Sequence, residues 1–307
     1  MRKVSKAMMS LVDQRRMAYE ELKINCINHL VSVNVDDGYL SWGLQYTYMK
    51  NGCKVQRNGP SEKIVGRDYM EIALDDLGFI LRPTEIRLET FAIYARDSED
   101  LEPNRRIVDS LVLISKKANS KFHVKSAVIV TRETNLALSV LSVMKPGILE
   151  NLMIEHAYER EHTEKLIDMN QIKDMEQFKR AKKVNMNLFG IIQSTDLPLF
   201  FGFEKFYVRV KSMEPEDVIR LRDDLSKPDN VTFNACSINL QTPFTDIGEI
   251  ARVFGKDVPN EWIGVESSIT DSEKVLKFVI QGDRIDIKKT DPFPGHINPI
   301  SDSHYYW

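Results

Sequence analysis

The stretch Leu136–His156, LALSVLSVMKPGILENLMIEH, decides how the rest of the chain is read. Leu136, Val140, Leu141 and Met144 recur at helical spacing, and Lys145-Pro146-Gly147 then punctuates the chain. Proline lacks the amide hydrogen that a continuing helix needs, and glycine turns freely, so the spacing predicts a helix that stops there. In the strand expected next, Leu149, Leu152 and Ile154 have the L-x-x-L-x-L spacing of leucine-rich-repeat units.

A three-position apolar match is weak on its own. With 42% apolar residues, chance supplies it about twenty times in a chain of this length. The signal is its recurrence after successive helices. Helices are expected at Asp68–Leu81, capped by Asp68, at Arg105–Ala118, at Asn170–Lys182 and at Glu214–Leu225, with a short turn at Leu197–Phe201. The triplets that follow end at Ile93, Ile129, Ile154, Met186, Val208 and Ile238, in steps of 36, 25, 32, 22 and 30 residues. The reading is α/β, a leucine-rich-repeat-like solenoid of strand–helix units in which stacked neighbours bury a shared core. A doubly wound nucleotide-binding sheet is disfavoured, because no glycine-rich phosphate turn follows any of these strands.

Upstream lies a β-rich segment. Tyr19-x-x-Leu22-x-Ile24 is one strand of the same pattern, and Leu30–Val55 reads as a meander with turns at Asp37-Gly38 and Asn51-Gly52. Gln56–Gly66 reads as a mobile loop. Downstream, Ile247–Phe254 is expected as a helix, and Val275–Ile280 with Arg284–Lys288 as a hairpin able to cover an open sheet edge. The organisation expected is a helix over residues 1–14, a β-rich segment over 15–67, repeats over 68–240, a capping region with the hairpin over 241–290, and a flexible tail over 291–307.

Composition narrows the function. The formal net charge is −3 with both signs interspersed, so no global field favours nucleic acid or an anionic membrane. No apolar run reaches the length of a membrane span, and no apolar signal segment follows the N-terminal charges. Cys26, Cys53 and Cys236 are an odd, widely spaced set without a C-x-x-C pair, which suits reduced thiols and a cytoplasmic or nuclear protein. His156 and His162, among Glu155, Glu159, Glu161 and Glu164, fit neither a helical metal pair nor a zinc-finger spacing, and read as a solvated loop. His29 and His123 lack a partner nucleophile. No metal, cofactor or catalytic constellation is expected.

Particular residues carry a family likeness. The runs Leu77–Leu81 and Leu88–Ile93, then Ile107–Leu111, then Lys145-Pro146-Gly147-x-Leu149-Glu150-x-Leu152, resemble the FTH domain, domain of unknown function thirty-eight, of the nematode F-box A family. The most specific piece is Met175-Glu176-Gln177-Phe178-Lys179-Arg180-Ala181-Lys182, similar to the family's Leu-Glu-Gln-Trp-Lys-x-Ala-Lys helix. The likeness covers roughly residues 68–240, and more loosely 19–67 and 275–289. The first helix, with Val4, Met8, Leu11 and Val12 on one face, resembles the last helix of the family's F-box, whose front half is absent. The resemblance implies a non-catalytic substrate-recognition subunit of a cullin–RING ubiquitin ligase, docked through a Skp adaptor. The alternatives are a free-standing binding module without a ligase link, because the box is incomplete, and an RNA-bridging adaptor using Lys179, Arg180, Lys182 and Lys183.

In a stacked sheet the residues between the apolar positions line up on the other face. Here they include Tyr94, Asn151, Met153, Glu155, Lys183, Asn185, Lys205, Tyr207 and Arg209, which are the expected protein-partner surface.

Overall fold

The apolar triplets lie side by side. In the computed structural model, which describes residues 18–58, 62–81, 86–96, 101–117, 121–157, 165–255, 262–270 and 272–292, the chain divides into two units. One is Met1–Tyr158 with Asp174–Ala181, the other Glu159–Lys173 with Lys182–Trp307. Both are mixed α/β.

The first unit's strands are β1 (Ala18–Ile27), β2 (Leu30–Asp36), β3 (Ser41–Met49), β4 (Gly52–Arg57), β5 (Glu62–Val65), β6 (Arg87–Ala95), β7 (His123–Val130) and β8 (Asn151–Glu155), in the order β5-β4-β3-β2-β1-β6-β7-β8. Strands β1 to β5 pair antiparallel as a meander, whereas β1, β6, β7 and β8 are parallel. The parallel register stacks Leu22, Phe91, Ala127 and Leu152 in one column, and Ile24, Ile93, Ile129 and Ile154 in the next. All eight are at most 2% exposed. A buried aliphatic or aromatic side chain contributes about 1.5–3 kcal/mol, so these columns are the main adhesive of the sheet.

Helices α1 (Tyr69–Ile80), α2 (Glu102–Lys117), α3 (Thr134–Ser142) and α4 (Glu176–Lys179) belong to this unit. The Asp68 side chain accepts from the amides of Met70 and Glu71 at 3.1 Å, the cap its position predicts. Helix α3 ends at Ser142, before Pro146, because Phe122 recruits its last turn. The Phe122 amide donates to the Val143 carbonyl at 2.9 Å, and Lys145 donates to the Phe122 carbonyl at 2.8 Å. Gly147 then reverses the chain at φ +80°, a conformation that favours glycine. Leu149 is buried just before β8.

The second unit's strands are β9 (Lys183–Asn185), β10 (Lys205–Val210), β11 (Ala235–Leu240), β12 (Trp262–Ser268), β13 (Val275–Gln281) and β14 (Arg284–Thr290), in the order β9-β10-β11-β14-β13-β12. Strands β9, β10 and β11 are parallel, and the β13–β14 hairpin joins β11 antiparallel. Val184, Phe206, Cys236 and Ile287 form its apolar column. Phe206 anchors an aromatic cluster, with Phe200 at 5.6 Å and Phe233 at 6.0 Å between ring centroids. Helix α5 (Pro215–Leu225) starts with a reciprocal cap between Glu214 and Asp217, and α6 (Ile247–Val253) is capped by Asp246.

Two local expectations are corrected, and one strand was not foreseen. Residues 56–66 are not a simple loop, since Glu62–Val65 form edge strand β5 against β4. All four are at least partly exposed, so an edge held by backbone pairing gave no apolar alternation to read. The helix expected over Asn170–Lys182 is two short turns, a 3₁₀ turn at Met169–Gln171 capped by Asp168 and α4 at Glu176–Lys179. Strand β12 had no sequence signal, because glycine and serine dilute its alternation.

Candidate partner-binding face

Parallel sheets covered on both faces have continuously apolar strands. Here β8 and β10 alternate strictly between buried and partly exposed side chains. In each unit one face therefore carries the apolar column and the other carries that unit's residues expected at the partner surface.

In the first unit, Tyr94 lies in a row with Asn25, Val130 and Glu155, while Met153 aligns with Lys23, Ala92 and Val128. Two cations lie against the Tyr94 ring, Lys23 Nζ at 5.0 Å and Arg96 Cζ at 4.8 Å from its centroid. Asn151 donates to Ser126 Oγ at 2.9 Å, and Asn25 to Ser32 Oγ at 3.0 Å. The Asn151 Oδ1 is buried without a hydrogen-bond partner among the described residues.

In the second unit, Lys183 stands opposite Lys205, and Asn185 opposite Tyr207. Arg209 stands opposite Asn239, whose amide donates to Asn187 Oδ1 at 2.7 Å. The Arg209 Nε is buried with no acceptor among the described residues. The nine side chains are all half-buried, neither core nor freely solvated. Their register also admits Lys23, Asn25, Lys277 and Lys288, which the sequence reading passed over. Strand pairing across the sheet was the missing information.

Val4, Met8, Leu11 and Val12 lie outside the described residues, as does His162. His156 is half-buried, and Lys145 Nζ donates to His123 Nε2 at 3.3 Å. His29 occupies the β1–β2 turn with Asn28, at φ +61° and +45°. The basic run Lys179–Lys182 is solvated at its cationic residues. Arg180 bonds Glu176 at 3.1 Å, and Lys179 approaches Glu176 at 3.6 Å and Asp174 at 3.8 Å.

Cys26, Cys53 and Cys236 are all buried, and none is in a disulfide. Burial pushes the thiols of Cys53 and Cys236 up, Cys236 well above its ordinary range. That direction opposes nucleophilic use, which needs an accessible thiolate. Among the described residues no cluster of three or more His, Cys, Asp or Glu could hold a metal ion. No described helix is long and apolar enough to cross a membrane.

The FTH domain family matches residues 105–257. Over 270 residues the chain is 27% identical to F-box A protein 224 of Caenorhabditis elegans, an alignment covering 85% of this chain and 65% of that protein. The chain thus spans just under two thirds of that relative's length. No solved structure matches it.

Proposed function

We infer, for a chain that belongs to the nematode F-box A proteins carrying an FTH domain, a non-catalytic role in binding another protein. The observation that carries this reading is the alternation of the parallel strands. On β8, β9 and β10 it leaves the side chains between the apolar positions half-buried, and the register aligns Tyr94, Asn151, Met153 and Glu155 in one unit, and Lys183, Asn185, Lys205, Tyr207 and Arg209 in the other. Tyrosine and arginine are over-represented where binding energy concentrates. The strand–helix units are read as leucine-rich-repeat-like, because a one-sided parallel sheet is how such repeats present a surface.

Within the ligase class, the chain is proposed to be the substrate-recognition subunit of a cullin–RING ubiquitin ligase, working in the cytoplasm or nucleus. F-box proteins as a class join that assembly through a Skp adaptor. The test is co-purification of the 307-residue chain with a Skp adaptor, paired with a search for proteins that accumulate when cullin activity is blocked. Adaptor capture together with a stabilised partner supports the ligase role. Partner capture through the strand face without adaptor binding makes the chain a free-standing binding module.

A further inference from the structure

The second unit carries a row of lysines across its sheet. Across β9, β10, β11, β14, β13 and β12 the register sets Lys183, Lys205, Ala235, Lys288, Lys277 and Glu266 opposite one another in turn. Strands lie about 4.8 Å apart, so the row from Lys183 to Lys277 runs for about 19 Å. Lys183 faces Lys205 directly, and Lys288 faces Lys277 directly. Like charges directly opposite weaken a sheet, so Lys277 against Lys288 is a standing cost that an anionic partner would remove. Lys205, Lys277 and Lys288 make no ion pair with a described carboxylate. Glu266 only ends the row, and Asp286 on the neighbouring row is engaged by Arg284 at 2.8 Å. A second observation points the same way, since the Arg209 Nε is buried on this face without an acceptor among the described residues.

We propose that this face binds an acidic, extended polypeptide segment, its carboxylates set against Lys183, Lys205, Lys277 and Lys288 and one of them against Arg209. The proposal rests on the protein-binding reading above and specifies the chemistry of the partner. A polypeptide suits the face better than nucleic acid. Beside the lysines stand the amides of Asn185, Asn239 and Gln281, which can pair with a peptide backbone. Tyr207 and Trp262, the rings in these rows among the described residues, stand four strands apart, whereas single-stranded nucleic acid is held on series of stacked aromatics.

The test measures fluorescence anisotropy of three labelled probes with the full chain. They are a peptide of alternating glutamate and serine, its glutamine counterpart, and a single-stranded oligoribonucleotide of equal charge. The glutamate peptide is expected to bind, more weakly as salt rises, and the glutamine peptide not to bind. Either Lys183→Gln with Lys205→Gln, or Lys277→Gln with Lys288→Gln, weakens binding about fivefold. Lys116→Gln with Lys117→Gln, on α2 of the other unit, leaves it unchanged. Equal binding of the two peptides, indifference to both lysine pairs in variants with native circular dichroism, or tighter binding of the RNA overturns the proposal. None of those outcomes touches adaptor co-purification, so this inference and the ligase role fail separately.

Discussion

The Tyr46 hydroxyl donates to Asp76 Oδ2 at 2.7 Å, tying strand β3 to helix α1 inside the first unit. Tyr46 has no exposed surface. Burial pushes the Asp76 carboxyl above its ordinary value of 3.8 and the nearby Asp75 adds to this, while the Tyr46 hydrogen bond and Arg67 pull it back. A carboxyl raised by folding keeps a proton that the unfolded chain has released. Stability therefore falls as pH climbs from the ordinary value through the folded one, and stays lower above it. Asp76→Asn still accepts from Tyr46 but carries no charge. We expect it to raise the urea midpoint near pH 7, with the gain shrinking as pH approaches about 4. Tyr46→Phe instead strips the carboxylate of its donor, at a cost of about 1–3 kcal/mol. Urea titrations of both variants across this pH range check the signs.

Gln177 shows what the most specific family-like segment does. Its side chain is 5% exposed and donates to the Met144 carbonyl at 2.9 Å. It thereby satisfies a backbone acceptor at the end of the α3 segment. Replacing it with methionine keeps the volume but leaves that carbonyl unpaired, so Gln177→Met is expected to cost about 1–3 kcal/mol. Lys179→Met on the exposed side of the same turn should change stability by less than about 0.5 kcal/mol. Thermal unfolding of the two variants separates them.

The contrast marks where sequence reading works. Leu22, Phe91, Leu152 and their neighbours were legible because the strand period imposes apolar alternation, and the register then aligned the triplets. Gln177 was not legible, since a polar residue on a short helix reads as solvent-facing until its acceptor is known. Strand β5 and the Lys205–Lys288 alignment across β11 were hidden for a related reason. Both depend on which strand lies alongside, and a linear pattern does not state that. The partner-face residues could be put on one face from alternation alone, yet Lys205 facing Lys183 needed the pairing.

Cys26, Cys53 and Cys236 are 2%, 0% and 5% exposed. Thiol reagents react with accessible thiolates, and these groups are sealed, with the thiols of Cys53 and Cys236 pushed up by burial. In the native chain all three are expected to resist an aromatic disulfide reagent near pH 8, and all three to react once the chain is unfolded in guanidinium. Fast labelling of any one without denaturant would show that its surroundings open locally.

Leu152 and Met153 are adjacent on β8 and point to opposite faces. Leu152 is 2% exposed and continues the column from Leu22, Phe91 and Ala127, whereas Met153 is half-buried in the row with Lys23, Ala92 and Val128. Leu152→Ala removes packed volume from a site bounded by strands that cannot collapse inward, at an expected cost of about 2–5 kcal/mol. Met153→Ala removes a side chain with solvent on one side, and should cost less than about 1 kcal/mol. Partner binding should respond in the reverse order. At a temperature where both variants are folded, Met153→Ala weakens capture of a partner held on the strand face, and Leu152→Ala leaves it close to wild type. Denaturant titration checks the first ordering and quantitative co-purification the second. A Leu152→Ala chain that is fully folded yet loses its partner, beside a Met153→Ala chain that keeps it, would place the binding surface elsewhere.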